Sequence, residues 1–378
     1  MRRLARAFAA AWLVACGDGA AQIPDGAAPE ASAGDASSSF DGDVAPGDAA
    51  ACVPIDDRFG VNIDPKNPGA NPPGSALDAA GARWARVEMK DLCDRDTPPA
   101  AYGFFDPVVT QLRAAGVRIV MIVDYSSLKG APFHDRTEQA WDDYAIDFST
   151  CAAELAEHYV SAPFGADTLG AFELWNEPDN PPNDGGYDPY VPPAAYGRMF
   201  EKSAAAMRAA MRGVLGQSSP LPVVMTGGLD AGSHSGYLEA VITAVGTLHA
   251  DAIGVHEYGV RPDPDWPTAT WGFANLGDDL ATYAGIAQKP LWITEFGTED
   301  LTLQAEYVRR TYARLAKDFP SVVPHALVYA WSDAQGDAQH PWGLVDVQGQ
   351  PKASYCAFRE AALEVATCDG APDGGTCF

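Results

Sequence analysis

The chain has 378 residues, 47% of them apolar and 20% charged, enough to bury a large core. Its formal net charge is −26. Phosphate contacts need clustered Lys and Arg, so this balance argues against nucleic-acid binding and suits the solubility of an exported protein.

At the N-terminus, Arg2, Arg3 and Arg6 precede an apolar stretch from Ala7 to Ala15. That stretch is far short of the ~20 residues that span a bilayer, so residues 1–15 read as a processing signal. Leu13-Val14-Ala15-Cys16 resembles the lipobox of bacterial lipoproteins, which implies cleavage before Cys16 and a lipid on its thiol. Ordinary secretion, with cleavage near Ala20, is the alternative. Residues 16–51 are mostly Ala, Gly, Asp, Pro and Ser, with seven acidic residues and no basic one from Gly17 to Ala51. Such a segment buries too little apolar surface to offset ordering, and it predicts a disordered, self-repelling tether. The expected location is outside the cytoplasm, with membrane contact only through the lipid on Cys16.

Seven cysteines is an odd count for an exported chain. Setting Cys16 aside leaves six, enough for three bridges in an oxidising compartment. Cys368 with Cys377 would close a loop in the C-terminal tail, residues 368–378. Cys52 with Cys356 would join the start of the globular region to its last helix, leaving Cys93 with Cys151. Six cysteines allow many other arrangements, so the connectivity stays open. No CxxC pair occurs, and no structural zinc is expected.

From Cys52 onward, strand and helix patterns alternate. Short buried-strand candidates are Phe59–Ile63, Trp84–Met89, Arg118–Tyr125, Ala171–Asn176, Pro222–Gly227, Ala252–Tyr258, Leu291–Glu295 and Ala326–Trp331. Helical patterns between them include Tyr144–Tyr159, Ala194–Val214, Gly236–Val245, Leu276–Ala287, Leu303–Phe319 and Ser354–Val365. The predicted fold class is α/β, a single (β/α)8 TIM barrel over residues 52–367, preceded by the signal peptide and the tether. No GxGxxG follows a strand, which argues against a dinucleotide fold.

Two of these strands close on a carboxylate followed by a breaker: Glu177 before Pro178, and Glu295 ahead of Gly297. The C-terminal end of a barrel strand is where such folds build their active sites. Two carboxylates facing one cleft are the minimal equipment for cleaving a glycosidic bond with retention.

Trp175-Asn176-Glu177-Pro178 ending one strand, with Ile293-Thr294-Glu295-Phe296-Gly297 ending a later one, resembles clan A of the glycoside hydrolases, nearest to families 5 and 39. Further segments agree in strand order. Gly81-Ala82-Arg83-Trp84-Ala85-Arg86 resembles the second-strand motif with its active-site Arg, and His256-Glu257-Tyr258 the His-x-Tyr of strand six. Tyr196 lies in a segment resembling the start of the helix after strand four. Trp331 resembles the aromatic ending strand eight, and Gly343–Asp346 with Pro351–Tyr355 the lead into the last helix.

The resemblance implies roles. Glu177 takes the acid/base position and Glu295 that of the nucleophile. To act as an acid near neutral pH, Glu177 needs a raised pKa, which a nearby negative Glu295 would give. Glu295 needs donors for its charged form, with Arg86 and Tyr258 as candidates. Asn176 suits a hydrogen bond to the sugar 2-hydroxyl, yet Asn176 and Glu177 fall on opposite sides of a regular strand, so the strand end must turn. His256 is expected to hold neighbours or touch sugar, with Glu257 facing away, and Trp331 to stack on a sugar face. Bland readings compete: Arg86 as an ion pair with Glu88, His256 as a satisfied core residue, Trp331 as packing.

Trp175 and Trp292 are expected in the barrel wall. Tyr187, Tyr190, Trp266 and Trp271 could line sugar subsites or pin their loops, and Asp124 and Tyr125 could meet substrate. The oxygen-rich run from Asp179 to Asp188 lacks EF-hand spacing, so no metal is expected. Nor is an organic cofactor. The sequence thus predicts a monomeric retaining glycosidase acting on a β-glycan, its sugar unspecified. A barrel that binds carbohydrate without turnover, a surface spacer and a transglycosylase are the alternatives.

Overall fold

The structure, a computed structural model, describes residues 57–93, 98–133, 137–165, 169–180, 189–266, 275–335 and 340–363, with backbone alone over 98–100. The signal, the tether, Cys16, Cys52, Cys368, Cys377, Tyr187 and Trp271 lie outside the described residues.

Among the described residues, eight parallel strands alternate with eight α-helices. They are β1 (Phe59–Ile63), α1 (Gly74–Ala80), β2 (Trp84–Glu88), α2 (Pro98–Ala114), β3 (Arg118–Val123), α3 (Glu138–Val160), β4 (Leu169–Leu174) and α4 (Pro193–Leu215). There follow β5 (Val223–Thr226), α5 (Tyr237–Val245), β6 (Ile253–Tyr258), α6 (Leu276–Ala287), β7 (Leu291–Gly297), α7 (Gln304–Asp318), β8 (His325–Val328) and α8 (Ala353–Leu363). The sheet runs β5-β4-β3-β2-β1-β8-β7-β6, with β1 paired to both β2 and β8. Single bridges, Met225 to Ala252 and Leu229 to Val255, hold the seam between β5 and β6 and close the ring. This is the expected (β/α)8 barrel.

The apolar runs become strands because both faces are covered, one by the barrel interior and one by helices. Inward side chains of Trp84, Val120, Ala171, Met225, Ala252, Trp292 and Leu327 fill the lower interior. Trp84 and Trp292 meet edge to face at 5.0 Å, so Trp292 lies inside the barrel, not in its wall. Burial of such a ring contributes roughly 4–6 kcal/mol. The close fit demands Gly170, where a Cβ would stand 1.8 Å from the Trp84 ring.

Helices α1 and α2 are additions to the patterns read from the sequence. The short Gly- and Ala-rich α1 has little periodicity, and α2 opens on Pro98-Pro99 and carries Pro107 inside. Prolines so placed read as breakers. Cys93, after β2, is bonded to Cys151 of α3, one of the expected pairings. Closing that loop stabilises by about 4 kcal/mol in the chain-entropy picture. Among the described residues, no helix is long and apolar enough to cross a membrane.

Candidate active site

Strand β4 stops at Leu174, two residues earlier than the sequence pattern suggests. Trp175 and Glu177 then adopt left-handed backbone, φ 87° and 49°. For non-glycine residues this costs of order 1–3 kcal/mol each, so the surroundings must impose it. Trp175 is fully buried among Tyr125, Trp141 and Phe148, and its indole donates to Pro189 O at 2.7 Å. Glu177 N donates to Gly228 O at 3.0 Å, tying the turn to the end of β5. The chain therefore turns where the sequence requires it, and Asn176 and Glu177 both face one cavity.

On the opposite side, β7 carries a bulge. Val255 of β6 pairs with Ile293, but His256 pairs with Glu295, leaving Thr294 unmatched. A bulge lets successive side chains point the same way. Thr294 Oγ1 donates to Glu173 at 3.2 Å, and Glu295 enters the cavity.

Arg86 of β2, 2% exposed, organises the floor. Its Nε and Nη2 donate to the two oxygens of Glu173 at 2.7 and 3.0 Å. Its Nη1 donates to Glu295 Oε1 and to Asn62 Oδ1, the latter at 2.9 Å, and its Nη2 also reaches Asn176 Oδ1 at 2.8 Å. Burial acts to lower the guanidinium pKa, but Glu173 and Glu295 override it and hold the group well above its ordinary value. Tyr258 donates its hydroxyl to Glu295 Oε2. Burial, and then the Glu295 charge, push that phenol well above its usual range, so it stays a donor. Each oxygen of Glu295 thus has a donor.

His256 sits between the two carboxylates. Its Nδ1 is 3.0 Å from Glu177 Oε1 and its Nε2 3.7 Å from Glu295 Oε1. Burial opposes protonation, but Glu295 and Glu177 together raise its pKa to about 9. The ring is an imidazolium at neutral pH and touches the carboxylates; it does not line the catalytic cavity. Gly228 makes room for it, since a Cβ there would stand 2.0 Å from Nε2. Donor atoms of Glu177, His256 and Glu295 lie within 4.8 Å of one another. Their closeness is also accounted for by His256 bridging the two carboxylates.

The sign of the pKa shift gives a prediction. Because folding raises the His256 pKa from 6.5 to about 9, its contribution is complete below pH 6.5 and fades as pH rises towards 9. The stake is on the order of 3 kcal/mol. Urea unfolding of the wild type should show stability falling between pH 7 and 9, with His256→Gln flatter over that range. Equal slopes would remove His256 as the source.

The cavity encloses about 490 Å³ and takes Arg86, Asn176, Glu177, Tyr258 and Glu295 into its wall. A carboxylate oxygen of Glu177 lies within 4.8 Å of one of Glu295, and the two residues are only 9% and 6% exposed. Trp331 is not among the lining residues: it is 3% exposed and packs edge-on against Tyr355 of α8. Tyr329 and Trp342 supply the aromatic surface on that side. Tyr125 lines the cavity, whereas Asp124 is buried beneath it, its carboxyl pushed up to about 7 by burial and then by Glu88. Tyr190 and Trp266 pack against Tyr237 and Tyr307, outside the cavity.

Several residues escaped the sequence reading. Glu173 is fully buried, binds Arg86 through both oxygens and also accepts from Gly228 N at 2.8 Å. Its signal was present: it is the one charged residue inside the apolar run of β4. Asn62 of β1 positions Arg86, and period-2 spacing places it on the inward face with Gly60. Lys90, held by Asp64 at 3.0 Å and Glu88 at 3.1 Å, forms a polar edge of the cavity. Asn180 Nδ2 bridges Glu177 Oε2 at 3.2 Å to Asp230 Oδ2 at 3.3 Å.

No family pattern and no curated protein matches the sequence. Solved structures do match the fold. A "GH5-4 broad specificity endoglucanase from Clostridium acetobutylicum" aligns at TM-score 0.58 and 14% identity, over 81% of this chain and 97% of its own. A "GH5_18 from Bifidobacterium longum subsp. infantis" gives 0.58 and 15%, over 84% of both chains. The "Family 1 b-glucosidase from Thermotoga maritima" gives 0.56 and 12%, over 82% and 98%. The chain therefore has the barrel fold of family 1 and family 5 glycosidases, as the resemblance to clan A implies.

Proposed function

We propose that this protein is a retaining β-glycosidase with Glu295 as nucleophile and Glu177 as acid/base. The observation that carries the reading is the separation of their carboxylates. Retention needs the pair ~5–5.5 Å apart, and inversion needs ~6.5–9.5 Å to admit a water. Oxygens within 4.8 Å support the first.

In the first step a Glu295 oxygen bonds to the anomeric carbon as the bond to the leaving oxygen breaks, and Glu177 gives that oxygen its proton. Arg86 and Tyr258 hold the attacking carboxylate in place. In the second step Glu177, now a carboxylate, takes a proton from water as the water oxygen bonds to the anomeric carbon, and Glu295 departs. Asn176, oriented by Arg86, serves the sugar 2-hydroxyl. Tyr329 and Trp342 offer aromatic surface for a sugar face. The names of two of these structural neighbours, a β-glucosidase and an endoglucanase, agree with a β-linked glucan-type substrate. The Cys93–Cys151 bond supports the export that goes with this reading.

The test is stereochemical. A panel of nitrophenyl β-glycosides identifies a substrate, and proton NMR of the first product then reads its anomer. The β-anomer is expected before mutarotation; the α-anomer would overturn the retaining mechanism. Turnover of no glycoside on the panel, with glycan binding intact, would favour a carbohydrate-binding barrel.

A further inference from the structure

A second cavity, of about 690 Å³, shares Asp230 and Tyr258 with the catalytic one. That volume lies within the ~300–1,000 Å³ of small-molecule sites. Its charge is one-sided. Asp230, Glu257, Asp278 and Asp279 line it, and among its described lining residues there is no lysine or arginine. Of its two histidines, His256 is held by Glu177 and Glu295, and His234 is exposed at the rim.

Two polar residues of this lining are buried. Glu257 is 2% exposed, and its carboxyl feels the like charges of Asp279 and Asp230. Ser233 is equally buried; its backbone N donates to Asp279 Oδ1 at 3.0 Å, but its Oγ has no partner. Like charges gathered round one space repel, and no lysine or arginine among the described lining residues offsets them. Burial, followed by Asp279 and Asp230, pushes the Glu257 carboxyl well above the ordinary carboxylate range. A bound cation would supply the missing positive charge.

We infer that this cavity is the leaving-group subsite and takes a β-glycoside whose leaving group carries an ammonium, such as an amino sugar. The inference rests on the glycosidase reading. The leaving oxygen is the atom that receives the Glu177 proton, and Asn180 bridges Glu177 to Asp230, the wall between the cavities. A departing sugar therefore moves past Asp230 into the acidic space. A bare metal ion is the poorer occupant: among the described residues, the acid and histidine donors that converge within 4.8 Å are those of Glu177, His256 and Glu295. The acids of the second cavity are spread out, as suits an ammonium on a sugar whose hydroxyls reach Asn275.

The experiment holds the glycone fixed and varies what leaves. Disaccharides sharing one non-reducing sugar and ending in glucose, glucosamine or N-acetylglucosamine are compared with the nitrophenyl glycoside. The full chain should give kcat/KM at least ~10-fold higher for the glucosamine disaccharide than for the other two. In Glu257→Gln, and separately in Asp279→Asn, that ratio should fall to within about two-fold, a within-variant comparison that cancels any general loss of folding. Equal rates for glucosamine and glucose in the wild type, or a preference retained in both variants, would overturn the subsite. Failure on every substrate including the nitrophenyl glycoside would instead sink the glycosidase reading. Calorimetry of glucosamine against glucose then tests the cavity alone, and equal binding would dispose of it as well.

Discussion

Replacing Glu295 with alanine is expected to lower kcat on a nitrophenyl glycoside by on the order of 10^5-fold, with the fold intact. In the proposed mechanism the carboxylate bonds to the anomeric carbon, and its loss leaves the Nη1 of Arg86 and the hydroxyl of Tyr258 aimed at an empty space. A small anion fits between those donors. Azide should therefore restore turnover, and because it attacks from the vacated face, the product should be the α-glycosyl azide. Glu177→Ala with azide should give the β-azide instead, since the anion then meets the glycosyl-enzyme from the other side. Turnover by Glu295→Ala near the wild-type rate, or a β-azide from it, would remove Glu295 from the mechanism.

The barrel and the two glutamates were legible because their signals are local. Apolar runs such as Arg118–Val123 declare buried parallel strands, and a carboxylate at the end of such a run sits at the active-site face. What failed to be legible depends on departures from period 2. Thr294 and Glu295 both point inward through a bulge, which no alternation rule predicts. Counting along a regular strand carried β8 to Trp331, whereas it ends at Val328 and the cavity receives Tyr329 and Trp342. Glu173 stayed hidden for a different reason. Its importance comes from Arg86, two strands away, and pairing across a barrel is invisible until the strands are ordered. The same holds for Asp230 and Glu257, whose environment comes from loops and helices far apart in the chain.

Glu173 carries the largest stability effect expected in the site. Glu173→Gln leaves the Arg86 guanidinium buried with one carboxylate in place of two, and breaking a buried pair by removing one partner costs about 3–5 kcal/mol. The urea midpoint should fall accordingly at unchanged m. Activity should fall too, because Arg86 is then free to shift towards Glu295 and away from Asn176, detuning both at once. Stability and positioning are separable in a double variant. Arg86→Met with Glu173→Leu replaces the ion pair by apolar groups of similar bulk, which is often neutral or stabilising. The double variant should recover most of the lost stability and none of the activity, because Glu295 would lack its guanidinium and Asn176 its anchor. If it regained activity along with stability, Arg86 would be a structural residue and Glu295 would rely on Tyr258 alone. If Glu173→Gln proved silent in both measurements, the orientation of Arg86 would have to come from Asn62 and Asn176, whose oxygens take its remaining hydrogen bonds.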